Sequence, residues 1–188
     1  MKIFFALFML FFTSLVYANS DCQLIVGAKK YHCVLGRSGV TAQKKEGDGA
    51  TPLGDFTLEK VFYRADRIAK NTLHTQLPLI ALQPNMGWCD DVHSPFYNQQ
   101  VQLPFTASHE NLWRDDQLYN IIVVVAYNQK PIVKGKGSAI FLHVASDDYR
   151  PTAGCIAFSQ KDLLEILKVL GPRTHLKIQR QQIILTNN

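Results

Sequence analysis

Two residues in the stretch HVASDDYRPTAGCIAF, positions 143–158, have the types and spacing to do chemistry: His143 and Cys155, with Gly154 directly before the cysteine. A thiolate is a strong nucleophile, and an imidazole beside it stabilises the charge and moves protons. Together they would perform acyl transfer. Cys155 attacks a carbonyl, His143 carries the proton, and backbone N–H groups around Gly154 and Cys155 receive the oxyanion. Gly154 permits an unusual backbone angle or the close approach of a substrate. Cysteine is also among the most buried residue types. The same pair therefore reads alternatively as core residues, or Cys155 as half of a disulfide, and residue type alone leaves these readings open.

A second set of polar and aromatic residues falls in segments without clear periodicity: Arg64, Arg67, Trp88, Asp90, Asp91, His109, Trp113 and Arg114. An arginine fork suits a substrate carboxylate, because both oxygens can be held at once. The bland alternative for each is a surface ion pair or an aromatic that packs a loop. His32, His74, His93 and His175 show no partner pattern. Cys89, in GWCDD, reads as a free buried thiol or as a neighbour of Cys155.

The elements that must position these residues are mostly short strands. QLIV, HCVLG, GDFTLEKVFY, NIIVVVAYN, PIVKG, AIFLHVA, THLKIQ and QIILT are apolar runs bounded by Gly, Pro, Asn and Asp. Their spacing predicts a mainly β domain, a sandwich or barrel. One helix is expected over SQKDLLEILKVLGPR. Ser159 is its N-cap, Asp162 follows three residues on, an apolar stripe runs from Leu163 to Leu170, and Gly171 and Pro172 end it. A weaker helix is expected over SHENLWRD. His143 then sits near a strand end, and Cys155 at a junction between a loop and a short strand that leads into the capped helix. The segment from Ala65 to Tyr97 is irregular, as binding loops often are.

A two-residue turn at Gly27 and Ala28 sets Val26 opposite Lys29, and the same register carries Cys22 opposite Cys33. A cross-strand disulfide is expected there. A metal site using His32 beside Cys33 ranks below it, because no second ligand pair has the spacing of a zinc site.

The chain has 188 residues, the length of one domain. Residues 1–18 carry Lys2 near their start, continue as an almost wholly apolar run over 3–16, and have small or modest residues at Val16 and Ala18. This pattern predicts a secretory signal cleaved after Ala18, leaving 19–188 as a single domain with no stable membrane insertion. The protein would then act across the inner membrane, in the periplasm, where disulfides form. Cleavage removes one lysine and lowers the formal charge from +5 to +4. Lys44, Lys45, Lys134 and Lys136 form small basic clusters without a long run. Nucleic-acid binding is a poor match, and an anionic extracytoplasmic polymer a better one.

FLHVA…YRPTAGCIAF…DLLEIL resembles the L,D-transpeptidase catalytic domain, also called the YkuD-like domain. Upstream, KKEGDGATPLGDFTL resembles that family's EGDGATPxGxF stretch. YRADRI…GWCDDVHSPFYN…LWRDDQLYNIIVVVAYN is similar to a branch of bacterial envelope proteins within it. The resemblance covers roughly residues 34–180. It implies a β-sandwich or barrel with one or two short helices. It further implies Cys155 as nucleophile, His143 as general base and acid, and Gly154 and Thr152 as motif residues. The carbonyl of Val144 would be the third element behind the histidine. The implied donor is a peptidoglycan tetrapeptide stem, cleaved after its diamino acid with release of D-Ala. The acceptor would be a stem amine, a protein lysine, a free D-amino acid or water. No metal or organic cofactor is needed, and carbapenems are expected to acylate the cysteine. Ala153 replaces the motif's second histidine, Val144 replaces a glycine, and Ala157 stands where many members have Arg or Asn. Two rivals follow from these departures: a peptidoglycan amidase or L,D-carboxypeptidase using the same pair, and a non-catalytic cell-wall binding module.

Overall fold

The computed structural model describes residues 21–180 and 182–187, so the signal expected over residues 1–18 lies outside the described residues. In chain order the strands are β1 (Asp21–Val26), β2 (Lys29–Val34), β3 (Val40–Thr41), β4 (Thr51–Pro52), β5 (Gly54–Tyr63), β6 (Leu79–Ala81) and β7 (Met86–Cys89). They continue with β8 (Gln100–Gln102), β9 (His109–Asn111), β10 (Ile121–Val125), β11 (Phe141–Val144) and β12 (Ile156–Phe158). The helix α1 (Gln160–Leu167) and strands β13 (Thr174–Ile178) and β14 (Ile183–Asn187) complete the described chain.

The principal sheet runs β10-β11-β12-β2-β1-β14-β13-β5-β6, and β10 also pairs with β5. That extra pairing closes the strands from β10 to β5 into a ring, with β6 added on β5. One half of β5 serves β13 (His175 opposite Thr57) and the other serves β10 (Val123 opposite Val61). Closure removes the open edges that an exposed sheet would present. The fold is mainly β, as the strand spacing predicts.

Burial explains the sequence pattern. In β10 all five residues are buried. Ile121, Val123 and Val125 join the apolar interior that α1 also packs on through Leu163, Ile166 and Leu167. Ile122 and Val124 join a second cluster with Phe62, Trp88, Phe141 and Cys155. A strand covered on both faces reads as a continuous apolar run rather than an alternation. β7, β8 and β9 form a small antiparallel sheet that supplies Trp88 to this second cluster.

The first hairpin adopts the expected register. Gly27 has φ +57°, Val26 faces Lys29, and Cys22 faces Cys33 across six paired positions. A disulfide joins the two cysteines, while Cys89 and Cys155 are both free. The helix begins as expected, with Ser159 Oγ accepting from the Asp162 N–H at 3.0 Å.

Three expectations are corrected. PIVKG is not a strand: the Asn128 side chain binds the N–H and carbonyl of Val133 and the carbonyl of Gly137, curling the segment into a loop. SHENLWRD is not a helix: His109–Asn111 pairs with β7 instead, and tertiary pairing overrides a weak helical pattern. The helix ends at Leu167, ahead of Gly171. Its last turn tightens through bonds from Lys168, Val169 and Leu170 to carbonyls three residues earlier.

Candidate active site

β11 and β12 are parallel neighbours, with His143 opposite Ala157 and Leu142 opposite Ile156. In-register residues of paired strands point to the same face, and alternate residues repeat it. Phe141, His143, Cys155 and Ala157 therefore share one face, with Cys155 diagonal to His143. Leu142 and Val144 turn the other way, into the main core. A cleft of about 790 Å³ opens over this shared face, and His143 and Cys155 both line it. They are 6% and 8% exposed, so the pair lies at its floor.

The histidine is fixed by its own neighbour. His143 Nδ1 lies 2.8 Å from the carbonyl oxygen of Val144. A carbonyl only accepts, so Nδ1 carries the proton and Nε2 is left as the basic nitrogen. The Tyr119 ring stands edge-on to the imidazole, with centroids 5.3 Å apart. Burial lowers the pKa of His143 to about 4, although the Val144 hydrogen bond opposes it. The imidazole is neutral at neutral pH.

The cysteine is held from below. Its Sγ donates to the carbonyl of Ala139 at 3.2 Å. Ala139 has φ +52°, and its N–H donates to Asn98 Oδ1 at 3.1 Å. Asn98 also accepts from Trp88 Nε1 and donates to the carbonyls of Tyr127 and Asn128. Burial raises the thiol pKa well above its usual value, and the nearby Glu110 carboxylate adds to the rise. The resting pair is a neutral thiol and a neutral imidazole. This corrects the expectation that the imidazole holds a preformed thiolate: a group shut away from water disfavours its charged form.

The motif around Cys155 is built by long-range contacts. Gly154 has φ +141°, and a Cβ there would sit 2.9 Å from the Ala50 carbonyl oxygen. Thr152 Oγ1 donates to the Cys155 carbonyl at 2.7 Å and accepts from the Gly154 N–H at 3.1 Å. The Gly154 N–H is therefore engaged by Thr152, which removes it from the oxyanion donors the sequence suggested. Thr152 also forms an isolated bridge with Gly36, and Thr51 Oγ1 accepts from the Gly36 N–H. The upstream stretch KKEGDGATP folds against the cysteine turn in this way. Asp48 organises it by taking Lys44 Nζ at 2.5 Å and the N–H groups of Lys45 and Ala50. Burial pushes the Asp48 pKa up, but these donors outweigh it and the net shift is downward.

Of the second set of sequence candidates, Asp90 and Arg114 line the cleft. Arg114 is drawn into an ion pair with Asp116 at 2.5 Å and lies over the Tyr119 ring. The others are placed elsewhere and bind the scaffold. Arg64 grips Asp66 with two nitrogens, donates to the Arg114 carbonyl and stacks 3.6 Å from the Trp113 ring centre. Arg67 binds the carbonyls of Asp115 and Asp116 and the Asn120 side chain. Trp88 is buried edge-on to Phe141. Asp91 caps the His93 N–H, and His109 Nδ1 bonds the Ala107 carbonyl.

The cleft also holds Glu46, Glu110, Tyr119, Arg37 and Arg150, which sequence reasoning missed as site residues. Glu46 lies inside KKEGDGATP and Arg150 lies between His143 and Cys155, so proximity to the motifs was a usable signal. Glu110 directly follows the candidate His109 and could have been weighed with it, whereas Tyr119 reaches the cleft from the segment before β10 without such a signal.

A family model for the L,D-transpeptidase catalytic domain matches residues 13–179. No curated protein and no solved structure matches the chain.

Proposed function

We propose, from the premise that this chain belongs to the L,D-transpeptidase catalytic domain family, that it transfers the acyl group of a peptidoglycan tetrapeptide stem through a thioester on Cys155. The observation that carries the reading is the Nδ1 bond of His143 to Val144, which leaves Nε2 basic in the cleft that Cys155 also lines. Because thiol and imidazole both rest neutral, deprotonation accompanies attack. As Sγ bonds to the stem carbonyl, His143 Nε2 takes the thiol proton. The resulting imidazolium gives that proton to the departing amine of D-Ala, and the C–N bond breaks. An incoming nucleophile then attacks the thioester, loses a proton to His143, and releases Cys155.

Arg37 and Arg150 also line the cleft, near Thr152 and Ala153. Among the described residues no carboxylate pairs with Arg37. Arg150 pairs with Asp148 at 3.0 Å, so Arg37 is the side chain that suits a carboxylate of a peptide stem. We place the reaction in the periplasm, and the Cys22–Cys33 disulfide supports an oxidising compartment. Incubating the protein with purified tetrapeptide stems and analysing the products by mass spectrometry tests the proposal. Release of D-Ala with a new cross-link supports acyl transfer, and recovery of unchanged stems contradicts it.

A further inference from the structure

The cleft that Cys155 lines also carries two carboxylates, Glu110 and Asp90, and among the described residues neither forms an ion pair with a protein cation. Glu110 on β9 lies opposite Trp88 on β7, and Asp90 follows Trp88 by two residues. Glu110 and Asp90 therefore share a face as diagonal neighbours, within reach of a common partner. Both line the cleft. One oxygen of Glu110 accepts the Tyr119 hydroxyl; among the described residues nothing donates to the other. Oδ1 of Asp90 is buried and has no hydrogen-bond partner. Arg114, which also lines the cleft, forms its ion pair with Asp116 and reaches Glu110 only through its charge. A buried acceptor such as Asp90 Oδ1, without a donor, is costly unless a ligand supplies one.

Resting on the acyl-transfer reading, we propose that Glu110, with Asp90 beside it, receives the ammonium group of the acyl acceptor and selects an amine over water. An ammonium carries three donors and a positive charge, matching two carboxylate oxygens that lack donors. Glu110 accepts the Tyr119 hydroxyl, and Tyr119 packs in the same cluster as Cys155. An amine seated at Glu110 therefore lies in the cleft that the thioester on Cys155 would occupy, the place of an attacking group. Burial raises the pKa of Glu110; the Tyr119 hydrogen bond and the Arg114 charge oppose the rise, and Asp90 and Glu46 add to it. The carboxylate is thereby a better base than an exposed one.

The step balances as follows. The ammonium gives one proton to Glu110 and becomes a neutral amine. Its lone pair forms the C–N bond at the thioester carbonyl, and the carbonyl electrons move to oxygen. On collapse the C–S bond breaks and its electrons go to Sγ. The new amide nitrogen loses its extra proton to His143 Nε2, which passes it to Sγ. The proton on Glu110 leaves to solvent, and thiol, imidazole and carboxylate are restored.

The test uses the whole protein with a tetrapeptide stem as donor and an amine-bearing stem in competition with water. The ratio of cross-linked dimer to hydrolysed tripeptide is measured for the wild type, Glu110→Gln and Asp90→Asn, along with the acyl adduct on Cys155. The ratio is expected to fall about tenfold or more in Glu110→Gln, as for loss of a charge-assisted hydrogen bond. Asp90→Asn should move it in the same direction, with the adduct still detectable in each variant. A ratio unchanged in both variants overturns the proposal, and so does loss of the adduct in both. Absence of the adduct in the wild type overturns the acyl-transfer reading itself.

Discussion

His143 Nδ1 is anchored 2.8 Å from the carbonyl oxygen of Val144, the residue directly after it. Val144 is the last residue of β11. The consequence of the Nδ1 bond is a fixed tautomer obtained through a backbone carbonyl rather than a hydrogen-bonded carboxylate, and the pull of the Asp116 charge on a ring proton is opposed by Arg114. Burial then dominates and sets the pKa at about 4.

That value predicts a pH dependence. An unfolded histidine titrates near 6.5, and the folded one near 4. Between these values the unfolded chain binds a proton that the folded chain refuses, so stability falls as pH drops through this window. The contribution lost is about 3 kcal/mol at the lower end. Chemical denaturation at pH 7 and pH 4 should show this loss in the wild type and a smaller one in His143→Asn. An equal loss in both proteins would mean that His143 is not buried neutral.

Gly154→Ala should cost stability and activity together. The substitution places a Cβ 2.9 Å from the Ala50 carbonyl at φ +141°. Backbone strain of this type costs about 1–3 kcal/mol. Relief requires the Cys155 turn or the 48–51 stretch to move, which misplaces the thiol. Melting temperature and turnover should both fall, and a fully active Gly154→Ala protein would show that the turn tolerates the shift.

Asn98→Ala probes the support beneath the cysteine. The side chain makes four hydrogen bonds, to Trp88, Ala139, Tyr127 and Asn128. Removing it leaves buried donors and acceptors open at about 1–3 kcal/mol each. Ala139, whose carbonyl takes the Cys155 thiol, loses its anchor. The variant should melt earlier and react with a thiol reagent at a changed rate, and a wild-type rate and melting temperature would contradict this role.

Much of the fold was legible because its signals are local. The hairpin register follows from a two-residue turn, and Ser159 announces its helix through one cap bond. The unbroken apolar run of β10 reports burial on both faces. PIVKG misled because its apolar residues resemble a strand while Asn128, outside the run, decides its shape. The site was legible at His143, Gly154 and Cys155, which one short stretch contains. Glu110 and Tyr119 were not, because the small β7-β8-β9 sheet brings one and the turn before β10 brings the other to the cleft. Arg64 and Trp113 illustrate the opposite error: an arginine beside an aromatic suits a ligand, yet here the two stack on each other.

The Cys22–Cys33 bond should matter to the site as well as to stability. It closes a hairpin with a sequence separation of 11, and β2 pairs with β12 directly after the nucleophile. A loop of that size predicts a loss of roughly 3 kcal/mol on removal. Cys22→Ser/Cys33→Ser should melt earlier than the wild type and unfold at lower denaturant concentration. An unchanged midpoint would show that strand pairing alone fixes the hairpin.

The most direct test of the Cys155–His143 assignment is intact-protein mass spectrometry after mixing with a carbapenem, a strained amide that an acylating cysteine opens. One covalent adduct is predicted, mapped to the peptide containing Cys155. Cys155→Ser should give none, and His143→Ala should give it far more slowly. A thiol reagent should also label Cys155 in the folded protein. No adduct, together with labelling by that reagent only after denaturation, would contradict a catalytic cysteine and return Cys155 to the apolar core.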